Sequence, residues 1–252
     1  MDARVGNGEG VRLLLLPGMD GTEILFGPLR RSLPTHLDVE IVSYPQRGPT
    51  DYGALLASAL AAIDAAPIDA RFVVLGWSFG GPLAMRIARL RPSRVRALVL
   101  VSTFVACPLP WLRRVRWLLI GPVVGAVRFA RRLPLWLLRP PSDPLRRDKA
   151  ELWRTVPASA LAARAREIAC VDARADLVAC QQPALCIVAE QDSVVPVTCA
   201  EEIAKLLPHA ETLSLRGGHF ALYAEAQRAA DAIAGFVASR IRATGGDGAQ
   251  SA

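Results

Sequence analysis

The stretch Gly76-Trp77-Ser78-Phe79-Gly80-Gly81 is the part of this chain best equipped for covalent chemistry. A serine hydroxyl is a weak nucleophile at neutral pH, so it must project from a tight turn and meet a general base. Here the apolar run Val73-Val74-Leu75 stops at Gly76 and a helical pattern begins after Gly80, the layout of such a turn. Glycines at 76 and 80 remove Cβ atoms where the backbones converge, and Gly81 lets the new helix approach the sheet. A bare Gly-x-Ser-x-Gly is read equally well as a loop between two elements, so a base and an orienting acid must be found elsewhere.

The chain has three histidines. His36 in Pro-Thr-His-Leu and His209 in Leu-Pro-His-Ala read as solvated turn residues. His219, in Gly217-Gly218-His219-Phe220, stands between an apolar run and a helical pattern and is the candidate base. Two carboxylates, Glu190 and Asp192, follow another apolar run, and Asp192 also reads as a cap for the helix beginning near 197. Cys107, Cys170, Cys180, Cys186 and Cys199 show neither C-x-x-C nor zinc-like spacing, so no disulfide framework, metal site or cofactor is expected.

Each candidate needs an element that ends where it stands. The continuous apolar run at 11–16 reads as a strand buried on both faces, and 39–44, 71–75, 95–101, 184–189 and 211–215 read as further strands. Between them lie helical patterns: one capped by Thr22 and carrying Ile24, Leu25 and Leu29, one capped by Thr50 or Asp51 and running through Ile63, and others at 79–90, 197–207 and 220–241. Strands alternating with helices imply parallel pairing with helices on both faces, because parallel strands need crossovers. The expectation is an α/β fold with a mostly parallel sheet of about six strands. After Ser102-Thr103-Phe104 the rhythm breaks for roughly eighty residues, too many for a structureless loop in a compact domain, so a helical insertion is expected. The expected organisation is a core at 1–103 and 181–244, an inserted helical cap at 104–180 and a disordered tail at 245–252.

The 252 residues suit one large domain, and 52% hydrophobic against 21% charged residues is enough apolar material for a core. The net charge of +7 is local. Ten basic residues fall between 111 and 149, among them Arg113, Arg114, Arg116, Arg128, Arg131 and Arg132, against two acidic ones; the remainder of the chain is at −1. Arginines on helices often form a solvated face, but so dense a cluster also steers acidic partners. The apolar stretch at 117–138 is interrupted by arginines, glycine and proline, so a spanning helix is not expected and surface contact with an anionic bilayer is not favoured. No recognised reading motif accompanies the charge, which argues against nucleic acid. Without the basic start and apolar core of a signal peptide, the default expectations are a cytoplasmic location and a monomer.

In this order, the serine turn, the Glu190-Gln191-Asp192-Ser193-Val194-Val195-Pro196 loop and the Gly-Gly-His loop resemble the α/β-hydrolase superfamily over nearly the whole chain. The resemblance implies Ser78 as nucleophile, His219 as base and Asp192 as acid. The alternative acid position of some relatives, after the strand at 95–101, reads Ser102-Thr103-Phe104 and offers no carboxylate. The oxyanion donors would be the N–H groups of Phe79 and Met19. Pro17-Gly18 stands where the family commonly has His-Gly, and Pro-Gly-Met-Asp-Gly-Thr is similar to a subset of bacterial hydrolases and acyltransferase-like proteins; Asp20 reads there as a turn residue. Gly-Trp-Ser-x-Gly-Gly with a helical insertion most resembles small carboxylesterases, including the pimeloyl-acyl-carrier-protein methyl ester esterases of biotin synthesis. That implies an acyl ester substrate beside Trp77 and an acidic carrier protein on Arg113, Arg114, Arg116, Arg128, Arg131 and Arg132, with Trp111, Trp117, Val124 and neighbouring apolar residues roofing an acyl channel. Thioesterase or acyltransferase chemistry would use the same triad, and a non-hydrolytic binding module on the same fold is the competing class.

Overall fold

The computed structural model describes residues 11–130 and 143–244. Six strands, β1 (Val11–Leu16), β2 (Asp38–Ile41), β3 (Arg71–Trp77), β4 (Val95–Val101), β5 (Ala184–Ala189) and β6 (Glu211–Leu215), form one sheet in the order β2-β1-β3-β4-β5-β6. Every neighbouring pair is parallel. The inner strands β1, β3, β4 and β5 are near-continuous apolar runs because both faces are covered, whereas the edge strands β2 and β6 carry polar residues and are more exposed. Leu14, Leu16, Phe72 and Val74 enter one core cluster, and Leu13, Leu15, Val73 and Leu75 enter the other. That alternation is the two-residue period of a strand.

Helices α2 (Tyr52–Ala65), α3 (Gly80–Leu90), α8 (Arg174–Val178) and α9 (Val197–Leu206) supply the first cluster, through residues such as Leu55, Leu83, Leu177 and Ile203. On the other face, α1 (Gly27–Ser32) and α11 (Ala226–Thr244) contribute Leu29, Ile233 and Phe236. Between β4 and β5 the described chain forms α4 (Trp111–Val115), a 3-10 turn (Arg116–Leu118), α5 (Gly121–Ala130), α6 (Pro144–Thr155), α7 (Ala158–Cys170) and α8. Ala106 and Asp172 make an isolated antiparallel bridge near the two ends of this segment.

Strand order reverses between β1 and β3, so the loops leaving their carboxyl ends diverge and open a crevice, the usual ligand position in such sheets. The loop after β1 and the turn after β3 face each other there. Three expected boundaries move. Thr22 caps no helix: its N–H and hydroxyl both donate to Asp20 Oδ2, at 2.9 and 2.6 Å, and a 3-10 turn begins at Ile24 instead. β2 ends at Ile41 because Tyr44 turns away to bond the β1 loop, its N–H donating to Gly21 O at 2.8 Å. The final helix divides into α10 (Ala221–Ala224) and α11, with Glu225 at the break accepting the Arg216 N–H at 3.0 Å. At α2, Asp51 rather than Thr50 is the cap, accepting Ala54 N–H at 2.9 Å.

Candidate active site

The turn between β3 and α3 holds Ser78 at φ +52°, a left-handed conformation that is uncommon outside glycine. Such a strained turn persists only where its surroundings fix it. Those surroundings admit no side chain at two neighbouring positions. A Cβ on Gly76 would lie 2.5 Å from Gly80 O, and one on Gly80 would collide with the Leu16 carbonyl of β1. Thr103, just beyond β4, donates its hydroxyl to Ser78 O at 2.6 Å, and Ser78 N–H donates to Val101 O at 2.9 Å. The serine is thus presented by β3 and tethered to the end of β4.

Three side chains distant in sequence meet here. His219 Nε2 lies 3.1 Å from Ser78 Oγ, and His219 Nδ1 lies 2.8 Å from Asp192 Oδ2. The other carboxylate oxygen of Asp192 accepts the N–H groups of Val194 and Val195, both at 2.8 Å. Asp192 therefore orients the imidazole and is itself oriented by its loop. Burial works against its ionisation, but the hydrogen bond and charge of His219 and the two backbone donors outweigh it and hold its pKa below the ordinary carboxylate value. Its side chain is 3% exposed, that of His219 12%. Glu190, the competing carboxylate, is exposed, as are His36 and His209.

Phe220 extends the histidine's support. Its ring meets His219 edge-on at 5.6 Å and Trp77 at 6.3 Å, and Lys149 of α6 places Nζ 3.5 Å from the Phe220 centroid. Nearby, Tyr223 donates its hydroxyl to Asp148 Oδ2 at 2.7 Å. Helix α6 therefore rests on the loop that carries the imidazole. Trp77 is buried between Phe26 and Phe220, with its indole N–H unpaired among the described residues.

The candidate donors Met19 and Phe79 flank the serine. Phe79 follows it directly and is fully buried, while Met19 is half-buried in the loop after β1. A Cβ on Gly18 would stand 4.0 Å from Ser78 Cβ, so the two loops touch. Among the described residues, no backbone acceptor takes either N–H. Asp20 does act as a turn residue: Gly21 N–H donates to Gly18 O at 3.0 Å, closing the turn in which Asp20 binds Thr22.

The supports of these donors come from residues distant in the sequence. Arg164 of α7, wholly buried, donates to Met19 O, Asp20 O and Pro45 O at 3.0, 2.8 and 2.7 Å. Tyr44 and Tyr52 donate to Pro17 O and Phe79 O, each at 3.0 Å. In the sequence the only sign is an arginine and a glutamate three apart on a helix rich in alanine, which reads as an ordinary exposed pair.

The basic segment is less tightly built. Arg113, Arg114 and Arg116 are exposed, beside Trp111 at 54% and Trp117 at 70% exposure. Both tryptophans face solvent and do not roof a channel, whereas Val124 packs against the core. Arg128 lies on α5, its side chain not among those described, and Arg131 and Arg132 lie outside the described residues. A recess lined by Ser102, Thr103, Ile187, Asp192, Val195 and Pro196 adjoins the acid, but neither Ser78 nor His219 lines it. The described residues contain no cluster of metal-binding side chains and no helix long and apolar enough to cross a membrane.

A model described as the alpha/beta hydrolase family matches residues 13–233, and the chain belongs to that family. It is 29% identical to the polyketide synthase ThaQ of Burkholderia thailandensis over 96% of its own length, but only 12% of the synthase's. It is 35% identical to the pimeloyl-[acyl-carrier protein] methyl ester esterase of Klebsiella pneumoniae, across 41% of each chain. The chain thus spans less than half the length of each of these curated relatives. Among solved structures, a hydrolase from Pseudomonas aeruginosa aligns over 92% of both chains with a TM-score of 0.75 and 23% identity. An enol-lactonase from Burkholderia xenovorans aligns over 94% of both with a TM-score of 0.74 and 20% identity. At those identities the likeness concerns the fold.

Proposed function

We propose that this hydrolase is a serine esterase that cleaves acyl esters through an acyl-enzyme. The hydrogen-bonded chain Asp192–His219–Ser78 is the observation that carries the reading. Ser78 Oγ attacks the acyl carbonyl while His219 Nε2 takes its proton, and Asp192 stabilises the imidazolium so formed. The oxyanion is received by the N–H groups of Met19 and Phe79, where one such donor typically contributes about 2.7–4 kcal/mol. Collapse breaks the ester bond as His219 returns the proton to the leaving alcohol. Water then repeats the cycle on the acyl-enzyme, releasing the acid and restoring Ser78.

The substrate is delivered by an acidic acyl carrier protein that docks on the basic segment between β4 and β5. Exposed Arg113, Arg114 and Arg116 beside solvent-facing Trp111 and Trp117 support this, since a positive face with apolar anchors steers and then holds an acidic partner. The similarity to an esterase named for an acyl-carrier-protein substrate supports it as well, and the methyl ester chemistry of that relative is the first candidate. The similarity to a polyketide synthase over nearly the whole chain favours a second reading, release of an acyl thioester by the same triad. A panel of p-nitrophenyl esters of increasing chain length, compared with carrier-bound methyl ester and carrier-bound thioester, separates these. A carrier-bound substrate with kcat/KM well above every free ester is expected; equal values would remove the carrier from the account. Absence of turnover on all of them, with Ser78 unreactive, would favour a binding module.

A further inference from the structure

The two donors assigned to the oxyanion hole come from loops after different strands, so their spacing is not fixed by either loop alone. Both loops are tied to one helix. Arg164 and Glu167 lie three residues apart on α7 and so share a face of it. Arg164 clasps the β1 loop by two carbonyls, Met19 O and Asp20 O, the peptides immediately after the Met19 N–H, and reaches Pro45 O in the loop after β2. Its guanidinium also stacks over the Tyr44 ring at 5.5 Å, and Tyr44 in turn holds Pro17 O. Glu167 Oε2 accepts the Tyr52 N–H at 2.9 Å, and Tyr52 stacks on Phe79 at 4.4 Å while donating its hydroxyl to Phe79 O. The carbonyls of Pro17, Met19, Asp20 and Phe79 are thereby all held by buried side chains that answer to α7.

We infer that α7 is the positioning element of the oxyanion hole, acting on Met19 through Arg164 and on Phe79 through Glu167 and Tyr52. The inference rests on the esterase reading above. A fully buried arginine with one nitrogen, Nε, unpaired among the described residues is a costly way to close a loop, and apolar packing would do it at lower cost if closure were the whole task. What an arginine adds is direction: its planar fork fixes several carbonyls at once, and each fixed carbonyl sets the plane of its peptide. The same helix holds the basic segment from its other side, since Arg166 donates to Leu119 O at 2.7 Å and α4 and α5 pack on α7. One helix thus joins the surface assigned to the carrier with the donors assigned to the reaction.

The test uses the full chain and the variants Arg164→Met, Arg164→Lys, Glu167→Gln and Tyr52→Phe. Circular dichroism and melting temperature report folding, a fluorophosphonate counts reactive Ser78, and p-nitrophenyl butyrate gives kcat and KM separately. The inhibition constant of a trifluoromethyl ketone, which forms a tetrahedral adduct on the serine, reads the hole directly. Misplacement of a donor by about 1 Å corresponds to a loss near 100-fold in kcat. Folded Arg164→Met should show a loss of that order with KM within about two-fold, and a matching weakening of the ketone. Arg164→Lys should recover part of it, and Tyr52→Phe, which keeps the stacked ring, should lose about ten-fold. Wild-type kcat and ketone affinity in folded Arg164→Met overturn the inference. If that variant does not fold, wild-type values in both Arg164→Lys and Tyr52→Phe overturn it instead. A wild-type protein that neither hydrolyses the ester nor labels at Ser78 overturns the esterase reading itself, which is a different result from active wild type with unaffected variants.

Discussion

The strand-end loops at the carboxyl edge of the sheet and the helical segment between β4 and β5 differ in how they are held. Ser78 is tethered by hydrogen bonds to Val101 and Thr103, and Asp192 by the N–H groups of Val194 and Val195. The Asp192 contacts lie within its own short loop, and the Ser78 contacts come from the end of the neighbouring strand β4. The basic segment instead turns Arg113, Arg114, Arg116 and Trp117 to solvent. Facing the core, the same helical segment between β4 and β5 carries single long-range residues, Lys149 on α6 and Arg164 and Glu167 on α7, that reach the loops. Short motifs carry the side chains of the candidate site, and distant side chains hold the backbone around them.

The largest effects should come from breaking the first region. Ser78→Ala or His219→Ala should lower kcat by about 10⁶-fold, as expected when members of such a unit are removed. Asp192→Asn should cost about 10⁴-fold, while Glu190→Gln, two residues away and exposed, should stay within about two-fold of wild type. Comparable losses in Glu190→Gln and Asp192→Asn would reassign the acid. Breaking the second region should act on partner choice. Arg113, Arg114 and Arg116 all replaced by Glu should reduce the ratio of carrier-bound to free-ester kcat/KM about ten-fold at low salt, and less as salt is raised. An unchanged ratio would leave that arginine face as solvated surface.

Much of the first region is legible in the sequence because each of its parts is contiguous. Apolar runs of strand length give the six strands, and the three loops that follow β3, β5 and β6 carry Ser78, Asp192 and His219. What is not legible depends on tertiary partners. Thr22 has the form of a helix cap, but its hydroxyl is taken by Asp20. The helical pattern of 220–241 continues through Glu225, but that carboxylate bonds Arg216 across the histidine loop and the helix breaks there. Arg164 counts toward the charge of the chain like any other arginine, and only the packing of α7 against the β1 loop shows that it is buried. Trp111 and Trp117 suggest a roof by composition, yet the fold turns them outward.

Two smaller effects concern pH. Because Asp192 is held below the ordinary carboxylate range, it stays ionised through the acid limb of activity. That limb should therefore follow one proton, with a slope of about one in log kcat/KM, and a slope of two would implicate a second group. Asp20 has the opposite sign. Burial raises its pKa from 3.8, offset only in part by the bonds from Thr22 and the charge of Arg164. Its contribution to stability is complete below the unfolded value and is lost as pH rises through the raised folded value. Asp20→Asn carries no such loss, so its urea midpoint should gain on wild type as pH rises above the ordinary carboxylate value of 3.8. A difference independent of pH would contradict that sign.

The esterase account stands or falls on Ser78. A fluorophosphonate probe followed by peptide mass spectrometry should place a single adduct on the peptide containing Ser78, with labelling and ester hydrolysis lost together in Ser78→Ala and in His219→Ala. An adduct at another residue, or hydrolysis that survives in Ser78→Ala, would contradict it.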